Sequence, residues 1–276
     1  MLPSVISDAV VVVTGAASGI GRALAERFAA DGARLVVVAD LDGDGAERVA
    51  SALPGGVARA VPLDVADEAA VRDLAARLER DEGRVDLWCS NAGVAAGYAG
   101  SARVGRGGAG MSAGRDLGDD ADWDLSWRVN VLAHLYAARA VLPGMVARGR
   151  GHLLATASAA GLLTEVASAP YSATKHAAVA LAEWLAIRYA GTGVTFSCLC
   201  PQGVRTPMLD GLDPESPTFS GGVLEPADVA ACVVEALAQG RFLILPHPGV
   251  AEYERRRAGD RDRWLAGMAR AAARHG

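Results

Sequence analysis

The sequence predicts an α/β fold in which one doubly wound parallel sheet of about seven strands carries helices on both faces. Short β-branched runs alternate with longer helical patterns along the whole chain, the pattern of βαβ units and a parallel sheet. A length of 276 residues with 51% hydrophobic content can bury a large core and falls within the size of one α/β domain. A strand, a glycine-rich turn and a helix follow one another directly near the N-terminus. The expected organisation is a single domain over residues 1–276.

In chain order the apolar runs place strands at residues 10–14, 35–39, 57–62, 85–90, 153–157, 194–199 and 242–245. Helical periodicity fits residues 19–30, 45–52, 68–80, 123–147, 171–190 and 227–238 between them. Two segments break this rhythm. Residues 94–122 are rich in Gly, Ala, Ser and Asp and read as a long mobile substrate loop. Residues 207–225 contain Pro207, Pro214, Pro217 and the pair Gly221-Gly222, and read as a lid. Both follow strands at their C-terminal ends, where open parallel sheets bind ligands. The tail at 251–275 sets seven arginines among Trp264, Leu265 and Met268. Its interspersed acids favour a solvated helix that packs Trp264 on the body over a membrane-surface helix.

Composition excludes several classes of function. The net charge is −5 and no basic stripe is present, which argues against nucleic acid. The first basic residue is Arg22, so a signal peptide's charged start is missing, and no uninterrupted apolar run reaches the ~18 residues of a membrane span. A soluble, cytoplasmic protein is expected. Cys89, Cys198, Cys200 and Cys232 lack CxxC spacing and read as buried free thiols, and the histidines form no HExxH; no metal is expected.

The glycine-rich turn is Thr14-Gly15-Ala16-Ala17-Ser18-Gly19-Ile20-Gly21. Such a turn lets the backbone approach a pyrophosphate, whose charge faces the free N–H groups and positive end of the next helix. Gly15 and Gly19 make the close approach, and Gly21 lets the helix pack. A second glycine run, Gly105 to Gly110, matches GxGxxG letter for letter but has no strand before it and no helix after it, so it reads as loop. Asp40 ends the second strand 19 residues after Gly21, where a carboxylate reaches adenosine ribose hydroxyls. It would repel the 2′-phosphate of NADP, and Ser18 and Leu41 stand where an arginine would help NADP, so NAD is favoured. The plainer reading is that Asp40 caps a turn.

Lys175 is the only lysine of the chain and lies four residues after Tyr171 in a helical stretch, so the two side chains share one face. An ammonium and the positive nicotinamide of an oxidised cofactor both favour the phenolate; lowering a phenol by three units takes about 4 kcal/mol. Tyr171 is therefore expected to exchange protons near neutral pH. Ser158 ends the strand at 153–157, on the same sheet edge, where its hydroxyl can hold a substrate oxygen.

With these residues in view the chain resembles the short-chain dehydrogenase/reductase family in its compact single-domain branch. The resemblance rests on Thr14 to Gly21, Asp64-Val65, Asn91-Ala92-Gly93, Asn130-Val131, Ser158, Tyr171 to Lys175 and Pro201 to Thr206. It implies a Rossmann-like fold and an oxidoreductase that moves hydride between nicotinamide and a secondary alcohol or ketone. It also implies that Asp64, followed by Val65, meets the adenine, and that Asn91, Ala92 and Gly93 line the cofactor cleft. Pro201, Val204 and Thr206 would lie at the nicotinamide end. Asn130 would hold a water linking Lys175 to solvent, Lys175 would bind the nicotinamide ribose, and Tyr171 would be the general acid/base. Two departures stand out: Gln202 replaces the glycine of the family's Pro-Gly, and residues 94–122 are long.

The competing readings are an NADPH-dependent ketoreductase, opposed by Asp40, and a non-catalytic NAD-binding sensor, which would need no proton-transfer set. A serine hydrolase is weaker, because Ser158 lacks a GxSxG elbow. Tyr98, Met111, Met208, Leu209, Leu212 and Phe219 suggest an apolar or ring-bearing substrate. The helices carrying Asn130 and Tyr171 are apolar on more than one face, and with the resemblance this implies a homo-oligomer, a tetramer or a dimer.

Overall fold

A computed structural model describes residues 5–96, 117–210 and 221–275. The predicted residues Tyr98, Met111, Leu212, Phe219, Pro214 and Pro217, and the glycine run 105–110, lie outside the described residues.

Seven parallel strands form one sheet: β1 (Val10–Thr14), β2 (Leu35–Asp40), β3 (Ala58–Pro62), β4 (Leu87–Ser90), β5 (Gly151–Thr156), β6 (Val194–Leu199) and β7 (Leu243–Ile244). Their spatial order is β3-β2-β1-β4-β5-β6-β7, with β1 paired to both β2 and β4. The winding direction reverses between β1 and β4. That reversal opens a crevice at the C-terminal ends of these two strands, the usual ligand position of such sheets.

Helices cover both faces. α1 (Gly19–Ala30), α2 (Gly43–Ala52) and α8 (Pro226–Ala238) pack on the face presenting Val11, Val13, Cys89, Leu154 and Leu199. α3 (Glu68–Glu82) and α5 (Ala133–Arg148) cover the other, presenting Val10, Val12, Trp88, Leu153 and Phe196. α6 (Ala160–Leu163), α7 (Ala169–Arg188) and α9 (Gly249–Gly259) enclose a third cluster with Cys198 and Cys200, on which Trp264 of α10 (Arg261–His275) rests. Cys232 is only half-buried, because it lies on the outer side of α8; the other three thiols are buried as expected.

Several element boundaries differ from the sequence reading. α4 (Asp120–Trp127) begins inside the stretch read as loop, because Asp119 and Asp122 form a reciprocal capping box. A π-helical turn at Arg128–Leu132 joins α4 to α5 and contains Asn130. α7 starts at Ala169 rather than Tyr171, since Ser168 Oγ accepts the Tyr171 N–H (3.2 Å) and Pro170 needs no amide donor in a first turn. The continuous helix Asp120–Arg148 is long and apolar enough to cross a membrane, a length the sequence reading missed by ending apolar runs at Gly and Pro. More than half of its most apolar 18 residues are buried, with Val129, Ala133, Ala137, Ala138, Val141, Leu142 and Met145 turned into the core, which makes it a core helix.

Candidate active site

The crevice edge is tied together by Thr14 and Asn91. Thr14 Oγ1 accepts from the Asn91 and Ala92 amides (3.0 and 3.1 Å) and donates to Cys89 O (3.3 Å). Asn91 Nδ2 donates back to Thr14 O (3.0 Å). The ends of β1 and β4 are thereby held at fixed spacing.

Above them lies the turn from Gly15 to Gly21. Gly15 (φ +65°) and Gly19 (φ +53°) take left-handed backbone conformations that glycine adopts without strain. A Cβ on Gly15 would lie 2.8 Å from Ala92 Cα, one on Gly19 2.8 Å from Thr206 Cγ2, and one on Gly21 would collide with Gly15 O. The start of α1 thus faces the crevice with bare backbone, a cradle suited to a pyrophosphate. Ser18 is exposed and Ile20 half-buried against the core.

Asp40 makes the turn contacts that the plainer sequence reading gave it. Its Oδ2 accepts the Ala17 N–H of the glycine turn (2.9 Å), and its Oδ1 accepts the Asp42 N–H of the turn into α2 (2.9 Å). Each carboxylate oxygen retains a second lone pair for a ribose hydroxyl. Leu41 beside it is 76% exposed. Asp64 is exposed and accepts the Ala66 N–H (2.9 Å), while the Val65 side chain is buried in the core, so only its backbone can face a ligand.

Farther along the same edge the four expected catalytic residues come together, all buried: Asn130, Ser158, Tyr171 and Lys175. Lys175 Nζ stands 5.6 Å from the Tyr171 ring centroid and donates to Thr156 O (3.1 Å). Ser158 hydrogen-bonds the Tyr171 hydroxyl, accepts the Ala160 N–H (3.1 Å) and reaches Pro201 O at 3.5 Å. A Cβ on Gly93 would lie 3.3 Å from both Asn130 Oδ1 and Lys175 Nζ, so the chain leaving β4 passes directly over this pair. Asn130 spends its side chain on structure: Oδ1 accepts the Val94 N–H (2.9 Å), and Nδ2 donates to Val94 O (2.9 Å) and Thr174 Oγ1 (3.2 Å).

Burial works against the near-neutral Tyr171 expected once a positive nicotinamide lies beside it. Burial, which penalises the phenolate, pushes the phenol up to about 12; the Ser158 hydrogen bond works against this, and the charges of Glu165 and Cys200 work with it. Lys175 moves the opposite way for the same reason, its ammonium brought down to about 8 by burial. Sequence reasoning missed Thr14 as a hub, Glu165, and two buried histidines, His134 and His247. Only Thr14 carried a signal, its place at the head of the glycine turn.

The model of the family described as short chain dehydrogenase matches residues 9–216. The chain belongs to this family. It is accordingly an oxidoreductase of the class acting on CH–OH groups. It is 40% identical over 245 residues to the 1-deoxy-11-beta-hydroxypentalenate dehydrogenase of Streptomyces exfoliatus, covering 84% of this chain and 81% of that one. It is 35% identical over 228 residues to the meso-2,3-butanediol dehydrogenase of Serratia marcescens, covering 80% and 84%. Among solved structures, a short chain dehydrogenase/reductase from Burkholderia phymatum in complex with NAD superposes with a TM-score of 0.78 at 32% identity, covering 93% of this chain and 95% of that one. Among the described residues, no group of three or more His, Cys, Asp or Glu side chains is placed to hold a metal.

Proposed function

We propose that the protein is an NAD-dependent oxidoreductase that moves a hydride between nicotinamide and a secondary alcohol or ketone. The observation carrying this reading is that the Ser158–Tyr171–Lys175 cluster and the bare-backbone turn at Gly15 to Gly21 lie along one sheet edge. The residues fit the cofactor: the glycine turn holds the pyrophosphate, Asp40 the adenosine ribose, Asp64 and the Val65 backbone the adenine. Asn91 to Gly93, Pro201, Val204 and Thr206 line the remainder, and Lys175 takes the nicotinamide ribose. Bound nicotinamide would supply the hydride acceptor or donor and, when oxidised, a positive charge that favours the Tyr171 phenolate.

Ser158 holds the substrate oxygen. Tyr171 takes the hydroxyl proton in oxidation and returns one in reduction. Starting from about 12, its phenol has further to fall than the three units expected from the sequence, so Lys175 and the cofactor charge must together favour the phenolate by more than about 4 kcal/mol. Asn130 places the Val94 backbone and Thr174 around Lys175, which leaves its own main chain in the π-helical turn as the group to hold a relay water.

The two named relatives act, by their names, on 1-deoxy-11-beta-hydroxypentalenate and on meso-2,3-butanediol. The described lid residues Met208 and Leu209 support an apolar or ring-bearing substrate. Exposed Leu125, Trp127, Val146, Trp184 and Ile187 on α4, α5 and α7 support a homo-oligomer, tetrameric or dimeric. We read the chain as one cytoplasmic domain. Titration of the purified protein with NADH and with NADPH, followed by a screen of secondary alcohols with NAD, tests the reading. Tight NADH binding and alcohol-dependent NAD reduction are expected, whereas preference for NADPH would favour a ketoreductase.

A further inference from the structure

Gln202 stands where the family usually carries glycine, and its neighbours give it a role. The loop Pro201–Thr206 after β6 joins the two halves of the site. At one end Pro201 O accepts from the Ala159 amide (2.8 Å) and faces Ser158 Oγ; at the other, Thr206 packs on Gly19. Whatever holds this loop sets the nicotinamide end of the crevice relative to Ser158.

One support is the returning segment at 221–225. Leu224 N donates to Gly203 O (3.1 Å) and Arg205 N to Leu224 O (2.9 Å), a single parallel bridge between Val204 and Leu224. The other support is His247, 2% exposed, in the connection from β7 to α9. Its Nδ1 lies 3.2 Å from the Gln202 backbone nitrogen and accepts that N–H. A neutral imidazole accepting at Nδ1 must carry its proton at Nε2. Nε2 is buried without a partner in bonding geometry, and the Gly203 and Gly222 carbonyls are the acceptors bearing on the ring. Thus one imidazole touches the loop after β6, the returning segment and the start of the tail. The Gln202 carboxamide closes the arrangement: its Oε1 is buried against Gly221, where a Cβ would collide with it and lie 3.3 Å from His247 Cδ2.

We propose that His247 is a positioning residue for the nicotinamide end of the cofactor site, acting through the Gln202 peptide that it orients. The proposal rests on the cofactor reading above. It divides the ligand in two: the adenosine half is held by β1, β2 and α1, which His247 does not touch, and only the nicotinamide half depends on the clasp.

The test compares wild type with His247→Phe, which keeps a ring and loses the acceptor, and His247→Asn, whose carbonyl can replace Nδ1. Affinities for NADH and for ADP-ribose, which lacks nicotinamide, are measured by calorimetry. In His247→Phe the NADH dissociation constant should rise at least tenfold while that of ADP-ribose stays within twofold, and His247→Asn should recover most of the loss. Equal weakening of both ligands, or of neither, overturns the proposal. Hydrogen exchange on cofactor-free protein reads the clasp without the function: the Gln202 amide should exchange at least tenfold faster in His247→Phe, and unchanged exchange refutes the clasp. Failure of wild type to bind NADH or ADP-ribose would sink the cofactor reading instead, with the exchange result still judging the clasp.

Discussion

Replacing Asp40 with alanine separates its two roles. Two backbone N–H groups lose their acceptor, Ala17 in the glycine turn and Asp42 before α2, each at 2.9 Å. Bonds to ionised acceptors are worth about 1.5–3 kcal/mol each, but Asp42 lies on the surface, where water replaces the lost partner, so its share is about 0.5 kcal/mol. The Ala17 bond is partly buried and accounts for about 1.5–2 kcal/mol more, for a total near 2–2.5 kcal/mol. For a chain of this size the melting temperature should fall by roughly 4–10 °C. Cofactor binding changes separately. Loss of a charged acceptor for the ribose hydroxyls weakens NADH by about 1.5–3 kcal/mol, roughly 10- to 150-fold, while NADPH loses a repulsive neighbour and weakens little. Calorimetric titration of wild type and Asp40→Ala with both cofactors, beside thermal melts, reads both effects. A lowered melting temperature with an unchanged NADH/NADPH ratio would show that Asp40 only holds turns, and would refute the discrimination argument.

Three further perturbations follow from the same geometry. Lys175 has a folded value of about 8 against an ordinary 10.5, so the folded chain releases a proton in that window and gains stability as pH rises through it. Wild type should gain up to about 3 kcal/mol relative to Lys175→Met between pH 8 and 10.5 in denaturant melts, and a pH-independent difference would contradict the burial argument; Tyr171, raised to about 12, opposes this only above pH 10. Asn130→Ala strands the Val94 N–H and C=O and removes the bond that Thr174 Oγ1 accepts, and should cost about 2–4 kcal/mol and lower kcat more than tenfold; near-normal stability would show that water satisfies the Val94 groups. His134 is buried beside a cavity of about 20 Å³, its two ring nitrogens unpartnered and its basicity driven down to about 3 by burial and by the Lys175 charge. His134→Leu should leave the melting temperature unchanged or raise it by a few degrees, and a fall of more than about 5 °C would mean that the imidazole is hydrogen-bonded through water in that cavity.

What the sequence by itself determined is whatever local chemistry dictates. Continuous valine in residues 10–13, the glycine spacing after Thr14 and the four-residue step from Tyr171 to Lys175 each specify their own backbone or face, so strands, helices and the shared face of Tyr171 and Lys175 were legible from residue types and spacing, whereas Asn130 entered only through the resemblance to the family. The start of α7 shifted by two residues because Ser168 and Pro170 form a cap whose value appears only when the Tyr171 amide is seen to need a partner. Tertiary structure alone decided what depends on residues far apart in the chain. The sheet reversal between β1 and β4, the Thr14–Asn91 tie, the hold of His247 on Gln202 and the opposite shifts of Tyr171 and Lys175 arise from long-range packing. The physical reason is that a hydrogen bond or desolvation cost depends on what surrounds a group, and for these groups the neighbours come from strands and helices that only the folded sheet brings together.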